Sequence, residues 1–272
     1  MDDMQGLYDF AARSLQPLED LFLATALASL RLFAAFNVLP PMGSQFIQGY
    51  VRAGVVVIIG GFVAFGLPSD MASHLTAGQW AGYALKETMI GLLMGFAAST
   101  VFWVAESVGA LIDTQAGYNS VQLTNPMSGE QSTPVSNLLV QLVITVFFAL
   151  GGMLVFIGAI FESFHVWPLF SQMPEISRIP EHFIVQQTDS LMTSTVKFAA
   201  PMLLVLVLID LGVGLITRAA DKLEPTNLSQ PIKGAVTLLM LALLISVLVS
   251  QVRHLLLPTG LLQQLQGSLQ MR

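Results

Sequence analysis

The stretch from Leu138 to Phe161 reads LLVQLVITVFFALGGMLVFIGAIF, an apolar run without a charged side chain. A transmembrane helix needs about 20 consecutive apolar residues, so a run of this length is a candidate membrane span. Backbone groups at bilayer depth must satisfy their own hydrogen bonds, and a helix does so within one segment. Strands of a membrane barrel would alternate apolar and polar residues, which this run does not do. The run therefore predicts a helix in apolar surroundings.

Five further apolar segments of comparable character lie along the chain, so the sequence predicts an all-α fold with about six long hydrophobic helices. They are approximately Leu21–Leu39, Val51–Leu67, Leu85–Val108, Phe198–Ile216 and Ala235–Leu257. Of the 272 residues, 54% are hydrophobic and only 10% are charged, whereas an ordinary soluble domain has roughly 25% charged residues. Most of the outer surface is therefore expected to face lipid or other protein chains.

Charge and residue usage exclude several classes of protein. The net charge of −6 does not attract a polyanion, so no nucleic-acid partner is expected. The absence of cysteine excludes disulfides, thiolate metal sites and cysteine nucleophiles. The acidic start Met1–Met4 lacks the basic region of a cleaved signal peptide, so the first apolar helix is expected to be its own insertion signal. No catalytic or phosphate-binding motif occurs, and no metal-binding spacing links the scattered histidines, His74, His165, His182 and His254. We therefore expect no enzyme activity, cofactor or metal.

One connection between the apolar segments is unusual. The stretch from Asp113 to Thr133 is long, polar and rich in Gly, Asn, Ser and Gln. Loops of this length in a compact protein are usually functional or disordered. The last two apolar segments form a separate hairpin-like unit, so the chain is expected to divide near Gln187.

Several charged residues lie inside or beside the apolar runs, where a charge is costly unless it meets a partner or water. The position of Arg31 inside an apolar run predicts that it forms an inter-subunit salt bridge or lines a pore. The alternative is that its side chain extends toward the nearer membrane interface. Asp210 has no obvious partner nearby, since Lys197 is almost four helical turns away. We expect it to contact another chain, with a proton relay as the alternative. Glu106 and Asp113 share one helix face and are interpreted as a wet helix end rather than a cation-binding or acid–base pair.

Small residues repeat at helical spacing in the third segment. Gly91 and Gly95 form a GxxxG pattern, and Ala105 and Gly109 continue the spacing. Such faces allow helix backbones to approach closely. Close helix packing is the favoured interpretation, and a ligand groove is the alternative.

An ordered set of stretches covers nearly the whole chain: Arg31-Leu-Phe, Leu39-Pro-Pro41 and Val51-Arg52 near the start, Gly109–Gly117 and Asn125–Ser132 in the centre, and Lys197–Ala220 with Asn227–Lys233 near the end. This set resembles the FliR/SctT family of the flagellar and type III secretion export apparatus. Flagellar members usually have an Ala-Pro-Gln-Leu-Asn-type stretch where this chain has Ala219–Asn227. That departure favours the virulence or symbiosis (injectisome, SctT-like) branch.

The resemblance implies one copy of the chain in a pseudo-helical assembly of the bacterial inner membrane, lifted largely toward the periplasm. Residues 1–186 are similar to an SctR-like subunit and residues 187–272 to an SctS-like helical hairpin. The central polar loop, 113–133, looks like part of the plug that closes the secretion pore. The implied partners are SctR-, SctS-, SctU- and SctV-like subunits and unfolded secreted proteins in transit. Energy would come from partner proteins and the proton-motive force.

The resemblance implies a set of plug residues, and a second set of residues is expected to contact other subunits. The expected plug residues are Asp113, Gln115, Gly117, Asn119, Asn125, Pro126, Ser128, Gly129 and Gln131. The expected subunit contacts are Arg31, Arg52, Gly91, Gly95, Asp210, Arg218, Pro231 and Lys233. The alternative function is a small-molecule secondary transporter with Asp210 and Arg31 in a midplane site. An intramembrane enzyme is disfavoured because no catalytic set is visible.

Overall fold

The computed structural model describes residues 2–66, 75–118, 123–124, 131–171, 179–219 and 225–256. These ranges are almost wholly helical, which confirms the predicted all-α class. The helices are α1 (Asp2–Val38), a short 3-10 helix (Pro40–Met42), α2 (Gly49–Phe65), α3 (Ala77–Ala116), α4 (Pro134–Ala149), α5 (Gly152–Val166), α6 (Ile179–Ala219) and α7 (Pro225–Leu256). Between α3 and α4, two short antiparallel strands, β1 (Leu123–Thr124) and β2 (Gln131–Ser132), pair with each other.

Proline sets the ends of two helices. Leu39 precedes Pro40 and has extended backbone angles of φ −77° and ψ 114°, because the residue before a proline disfavours the helical region. As predicted, α1 therefore stops at the proline pair. Pro134 is the first residue of α4, a position where its missing N–H costs nothing and its fixed φ suits the helix.

The apolar run from Leu138 to Phe161 is not one helix. Gly151 has a φ of +75°, a left-handed backbone that glycine adopts at no steric cost. It separates α4 from α5, and the two helices meet at a bend of 69°. The prediction of one helix over this run was wrong, because an apolar composition does not reveal where a glycine turns the backbone.

The number of candidate membrane spans is smaller than the predicted six. In the described ranges, four helical stretches are long and apolar enough to cross a bilayer, or up to five if the bent α4–α5 pair counts as one. α2 has only 17 residues and falls among the shorter apolar helices. The four stretches are Pro17–Val38, Ala77–Ala116, Phe183–Arg218 and Ser229–Ser250.

The chain folds into two compact units. Unit 1 consists of Met1–Ala97 and Phe156–Pro180, and unit 2 consists of Ala98–Val155 and Glu181–Arg272. Part of α3 and part of α5 belong to unit 1, and the remainder of each helix belongs to unit 2. The division near Gln187 drawn from the sequence falls inside α6, so the likeness of the chain halves to two different subunits stays a prediction.

In unit 1, α3 packs closely on α1 through glycine. A Cβ atom added at Gly91 would lie 2.2 Å from the carbonyl oxygen of Arg31, and one added at Gly95 would lie 2.7 Å from that of Ala35. No side chain fits such gaps, so glycine is required for the two backbones to approach this closely. The GxxxG pattern therefore contacts α1 of the same chain.

In unit 2, α3 packs on α4 in a similar way. A Cβ atom at Gly109 would lie 2.3 Å from the Cα of Ser136. Elsewhere along the same interface, the rings of Phe102 and Phe147 meet edge to face with centroids 5.4 Å apart. Both phenylalanines are buried. α3 and α4 therefore form a tightly packed pair beside the central loop.

The hairpin helices α6 and α7 expose much of their apolar surface. Only 22% of the most apolar window in α6 and 28% of that in α7 is buried within the chain, against 67% for α3. Large exposed side chains include Leu204, Leu208, Leu211, Leu215, Leu238, Leu239 and Leu243. An apolar area of this extent is the kind that faces lipid or other subunits.

We expect Gly91→Ala to destabilise unit 1 by about 1–3 kcal/mol, the usual cost of overpacking, because the new methyl group meets backbone that cannot move aside. Gly82→Ala is the matched control on the same helix, since nothing lies within 4 Å of a Cβ added there. Resistance of the membrane-embedded chain to limited proteolysis measures the difference. Equal resistance of the two variants would contradict the close packing.

Candidate functional site: the anchors of the central loop

Unit 1 contains a fully buried ion pair. Arg31 Nε donates to Glu87 Oε2 at 2.6 Å, and a second guanidinium nitrogen donates to Glu87 Oε1 at 3.0 Å. The guanidinium also donates to the Ser163 hydroxyl at 2.8 Å and to the Trp167 carbonyl at 2.9 Å. Both charged side chains are 0% exposed. Bidentate geometry of this kind is the strongest form of an arginine–carboxylate contact.

Lys86 extends this cluster to the turn that follows α5. Its Nζ donates to the carbonyl oxygens of Pro168 and Leu169, each at 2.7 Å, and to that of Ser171 at 3.2 Å. It also lies 3.1 Å from a Glu87 oxygen. The two cations and one carboxylate therefore fasten α1, α3 and the turn after α5 together. Arg31 does not snorkel toward an interface, and its charge is satisfied within the chain.

The carboxylate of Asp113 joins the two ends of the central loop. It lies in the last turns of α3 and accepts hydrogen bonds from the backbone N–H groups of Val135 and Ser136, at 3.0 to 3.2 Å. These amides belong to the first turn of α4, where N–H groups lack a helical partner. The N-cap residue, Thr133, makes no capping hydrogen bond with its side chain. Asp113 therefore caps α4 from another helix, and we call this contact the clamp.

The position of Asp113 corrects two predictions. α3 continues to Ala116, so Asp113 and Gln115 are helical residues at the base of the loop rather than residues within it. Asp113 is 0% exposed, so it does not share the solvated helix end predicted for it with Glu106. The sequence did not reveal the role of Asp113 because its partners lie more than 20 residues further along the chain.

A second contact ties the end of α3 to the α6–α7 hairpin. Lys233 Nζ lies 2.6 Å from Asp210 Oδ1 and donates to the Gln115 carbonyl at 3.0 Å. The Gln115 side-chain amide donates to Asp210 Oδ2 at 3.1 Å. Asp210 therefore has a partner within the chain, which the sequence analysis did not find. We call these three residues the tie.

The remaining predicted residues lie at various places. Gly117 follows α3 with a φ of +84°, and Gln131 pairs with Thr124 in the short ladder. Arg52 donates to the Met42 carbonyl at 3.1 Å. Asn119, Asn125, Pro126, Ser128 and Gly129 lie outside the described residues. Arg218, at the end of α6, and Pro231, within α7, are exposed, and their assignment to subunit contacts stays a prediction.

Sequence reasoning missed Glu87 and Lys86. A signal was available, because adjacent charges at the start of an apolar run need partners. Ser163 had no such signal, since serine is common inside apolar helices. In the part of the chain that is described, no group of three or more His, Asp or Glu side chains is arranged to hold a metal ion.

Long apolar helices with buried, internally paired charges and two anchors at the base of one polar loop define a multi-pass helical membrane protein. The family model for bacterial export proteins, family 1, matches residues 22–258. The chain therefore belongs to that family.

Similarity to individual proteins agrees with the family match. The chain is 33% identical to the Yop proteins translocation protein T of Yersinia pestis, over 78% of this chain and 82% of that protein. It is 26% identical to the surface presentation of antigens protein SpaR of Shigella flexneri, over 78% and 80%. It is 23% identical to the flagellar biosynthetic protein FliR of Bacillus subtilis, over 86% and 91%. The resemblance to the FliR/SctT family, with its SctT-like branch favoured, is confirmed.

We expect Glu87→Gln to destabilise unit 1 by about 3–5 kcal/mol, because it leaves two buried cations without their counter-charge. Glu162→Gln is the matched control, since Glu162 is exposed on α5. The yield of protease-resistant chain in membranes measures the effect. A Glu87→Gln chain as resistant as the control would show that the ion pair contributes little.

We expect Asp113→Ala to raise hydrogen exchange at the amides of Val135 and Ser136 by about tenfold, since a lost cap costs roughly 1–2 kcal/mol. Asp113→Asn keeps one acceptor oxygen and should have a smaller effect. Asp189→Ala, at an exposed position on α6, is the control. Unchanged exchange at both amides in Asp113→Ala would argue against the clamp.

Proposed function

We propose that this chain is a core structural and gating subunit of the type III protein secretion export gate in the bacterial inner membrane, with the central loop as part of the pore plug. The observation that carries the proposal is the clamp. A buried carboxylate joins the helix before the loop to the helix after it, so the two ends of the loop are held together at one fixed point.

A loop with joined ends suits a plug. Because the two ends of the loop are already held together, closing the loop costs no further entropy. The polar composition of the loop also suits a water-filled passage rather than lipid. A plug of this kind can leave the passage and return without any change in the packing of α3 on α4.

The exposed apolar faces of α6 and α7 support a place among other subunits. Side chains such as Leu211 and Leu239 are 60% and 66% exposed, and apolar partners would cover them. We propose SctR-, SctS-, SctU- and SctV-like subunits as these partners, with unfolded secreted proteins passing through the gate. The similarity of the chain to a translocation protein and to a flagellar biosynthetic protein supports this assignment. The assembly would project from the inner membrane toward the periplasm.

The transporter alternative has weaker support. A solute site at Arg31 and Asp210 needs charges that are free to bind a ligand. Arg31 is occupied by Glu87, Ser163 and the Trp167 carbonyl, and Asp210 is occupied by Lys233 and Gln115. The proposed role also involves no catalytic step in this chain, since partner proteins would supply the energy.

Shortening the loop within Gly117–Ser132 should make resting cells leak ions or should deregulate secretion, because less material would obstruct the passage. The measurement is sodium uptake by cells that carry the secretion apparatus but are not secreting. Replacing the same residues by a Gly/Ser segment of equal length is the control, and it should leak less than the shortened chain.

Copurification with other apolar subunits shows that the shortened chain still assembles. If an assembled, shortened chain leaks no more than the natural one, the plug proposal is wrong. A purified chain that is solitary in detergent and carries a small solute by itself would instead favour the transporter.

A further inference from the structure

The clamp and the tie differ in how deeply they are buried. Asp113 is 0% exposed and accepts hydrogen bonds from backbone amides of its own packed helix pair. The side chain of Asp210 is 39% exposed, although Lys233 is 10% exposed. Breaking a buried carboxylate contact leaves an unsatisfied charge, whereas a partly exposed carboxylate finds water when its partner leaves. The tie is therefore the contact that can be released at lower cost.

Lys233 also satisfies a specific need of α3. The last four carbonyl groups of a helix have no partner within it, and the carbonyl of Gln115 is one of them. A cation at this end is further favoured by the helix dipole. Lys233 thus acts as a C-terminal cap that α7 provides for α3, directly before the loop begins.

The same turn of α7 approaches the end of α3 at two further points. A Cβ atom at Gly234 would lie 2.8 Å from the Tyr118 hydroxyl oxygen, and one at Gly117 would lie 3.3 Å from the Gln230 side-chain nitrogen. Residues 230–234 therefore form a docking surface for the last residues before the loop. Any movement of this turn of α7 away from α3 must break the tie.

We propose that the tie is a releasable latch. In the closed gate, Lys233 and Asp210 hold the base of the loop against the α6–α7 hairpin. When the gate opens, the contacts of the tie break while the hydrogen bonds of the clamp remain. This inference rests on the proposed function, because a latch needs a loop that obstructs a passage. It makes Lys233 and Asp210 positioning residues for the loop. The hairpin then becomes the element through which neighbouring subunits control the loop.

Lys233→Met keeps the length of the side chain but removes the charge and the donor. In resting cells with the complete secretion apparatus, it should raise sodium leak by about tenfold, the ratio that corresponds to one charge-assisted hydrogen bond of ordinary strength. Lys233→Arg keeps charge and donors and should restore most of the closure. Lys197→Met, at an exposed position on α6, is the matched control and should leak no more than the natural chain.

A charge swap separates a latch from a simple link between α6 and α7. The double variant Asp210→Lys with Lys233→Asp restores an ion pair between the two helices, but a carboxylate at position 233 cannot donate to the Gln115 carbonyl. The latch predicts that this variant still leaks. If the swap restores closure, the pair only joins the two hairpin helices and the latch is wrong.

The chain with the shortened loop tests the proposed plug function separately from the latch. If that chain leaks while Lys233→Met does not, the plug stands and the latch is overturned. If neither leaks, the plug proposal fails and the latch fails with it. Copurification of each variant with the other subunits identifies variants that do not assemble.

Cross-linking tests release without relying on a destabilised variant. The chain has no cysteine, so a short reducible thiol cross-linker reacts only with introduced pairs such as Gln115→Cys with Lys233→Cys. Cross-linking should keep the leak low and stop secretion, and reduction should restore secretion. Each single cysteine variant treated in the same way is the control. Normal secretion through the cross-linked gate would overturn the latch.

Discussion

A charge taken out of water must meet an opposite charge or several hydrogen-bond partners, and the described structure depends on this constraint. Among apolar helices with few charged residues, three buried or half-buried charges have partners that satisfy them. Arg31 finds Glu87, Asp113 finds the first amides of α4, and Lys233 finds Asp210 with the end of α3. Apolar packing holds the helices together, but it permits many registers. The charges select among these registers, because a shift of one turn would leave them unpaired.

The same constraint explains why the central loop is built as it is. A loop rich in Gly, Asn, Ser and Gln has few apolar side chains to bury, so firm ends favour it. The clamp supplies them by using one carboxylate for a helix whose own N-cap side chain makes no capping bond. The glycine with φ +84° directly after α3 then lets the chain leave the helix in a sharp turn. Firm ends and a polar body fit the plug role that we propose for this loop.

Sequence reasoning reached some parts of this site and not others. It identified the polar loop, the two prolines that end α1 and the glycines of α3, because each is a local pattern. It placed the loop start four residues too early, at Asp113 rather than after Ala116, because a polar residue within a helix looks like a loop residue when its partners are unknown. Its division of the chain near Gln187, a position inside the continuous helix α6, stays a prediction. Sequence reasoning also missed Glu87, whose partner Arg31 lies 56 positions away.

The sequence by itself determined the class of fold and the family. Long apolar runs satisfy their backbone hydrogen bonds only as helices, and an ordered set of motifs can be recognised without knowing the three-dimensional structure. The tertiary structure alone decided which charge meets which partner, where the apolar run after the loop bends, and that the loop is clamped at its base and tied to the hairpin. The physical reason is distance along the chain. Hydropathy and helix ends depend on residues that are neighbours in sequence. The role of the carboxylate of Asp210, in contrast, depends on a lysine on the next helix and on a glutamine 95 positions earlier.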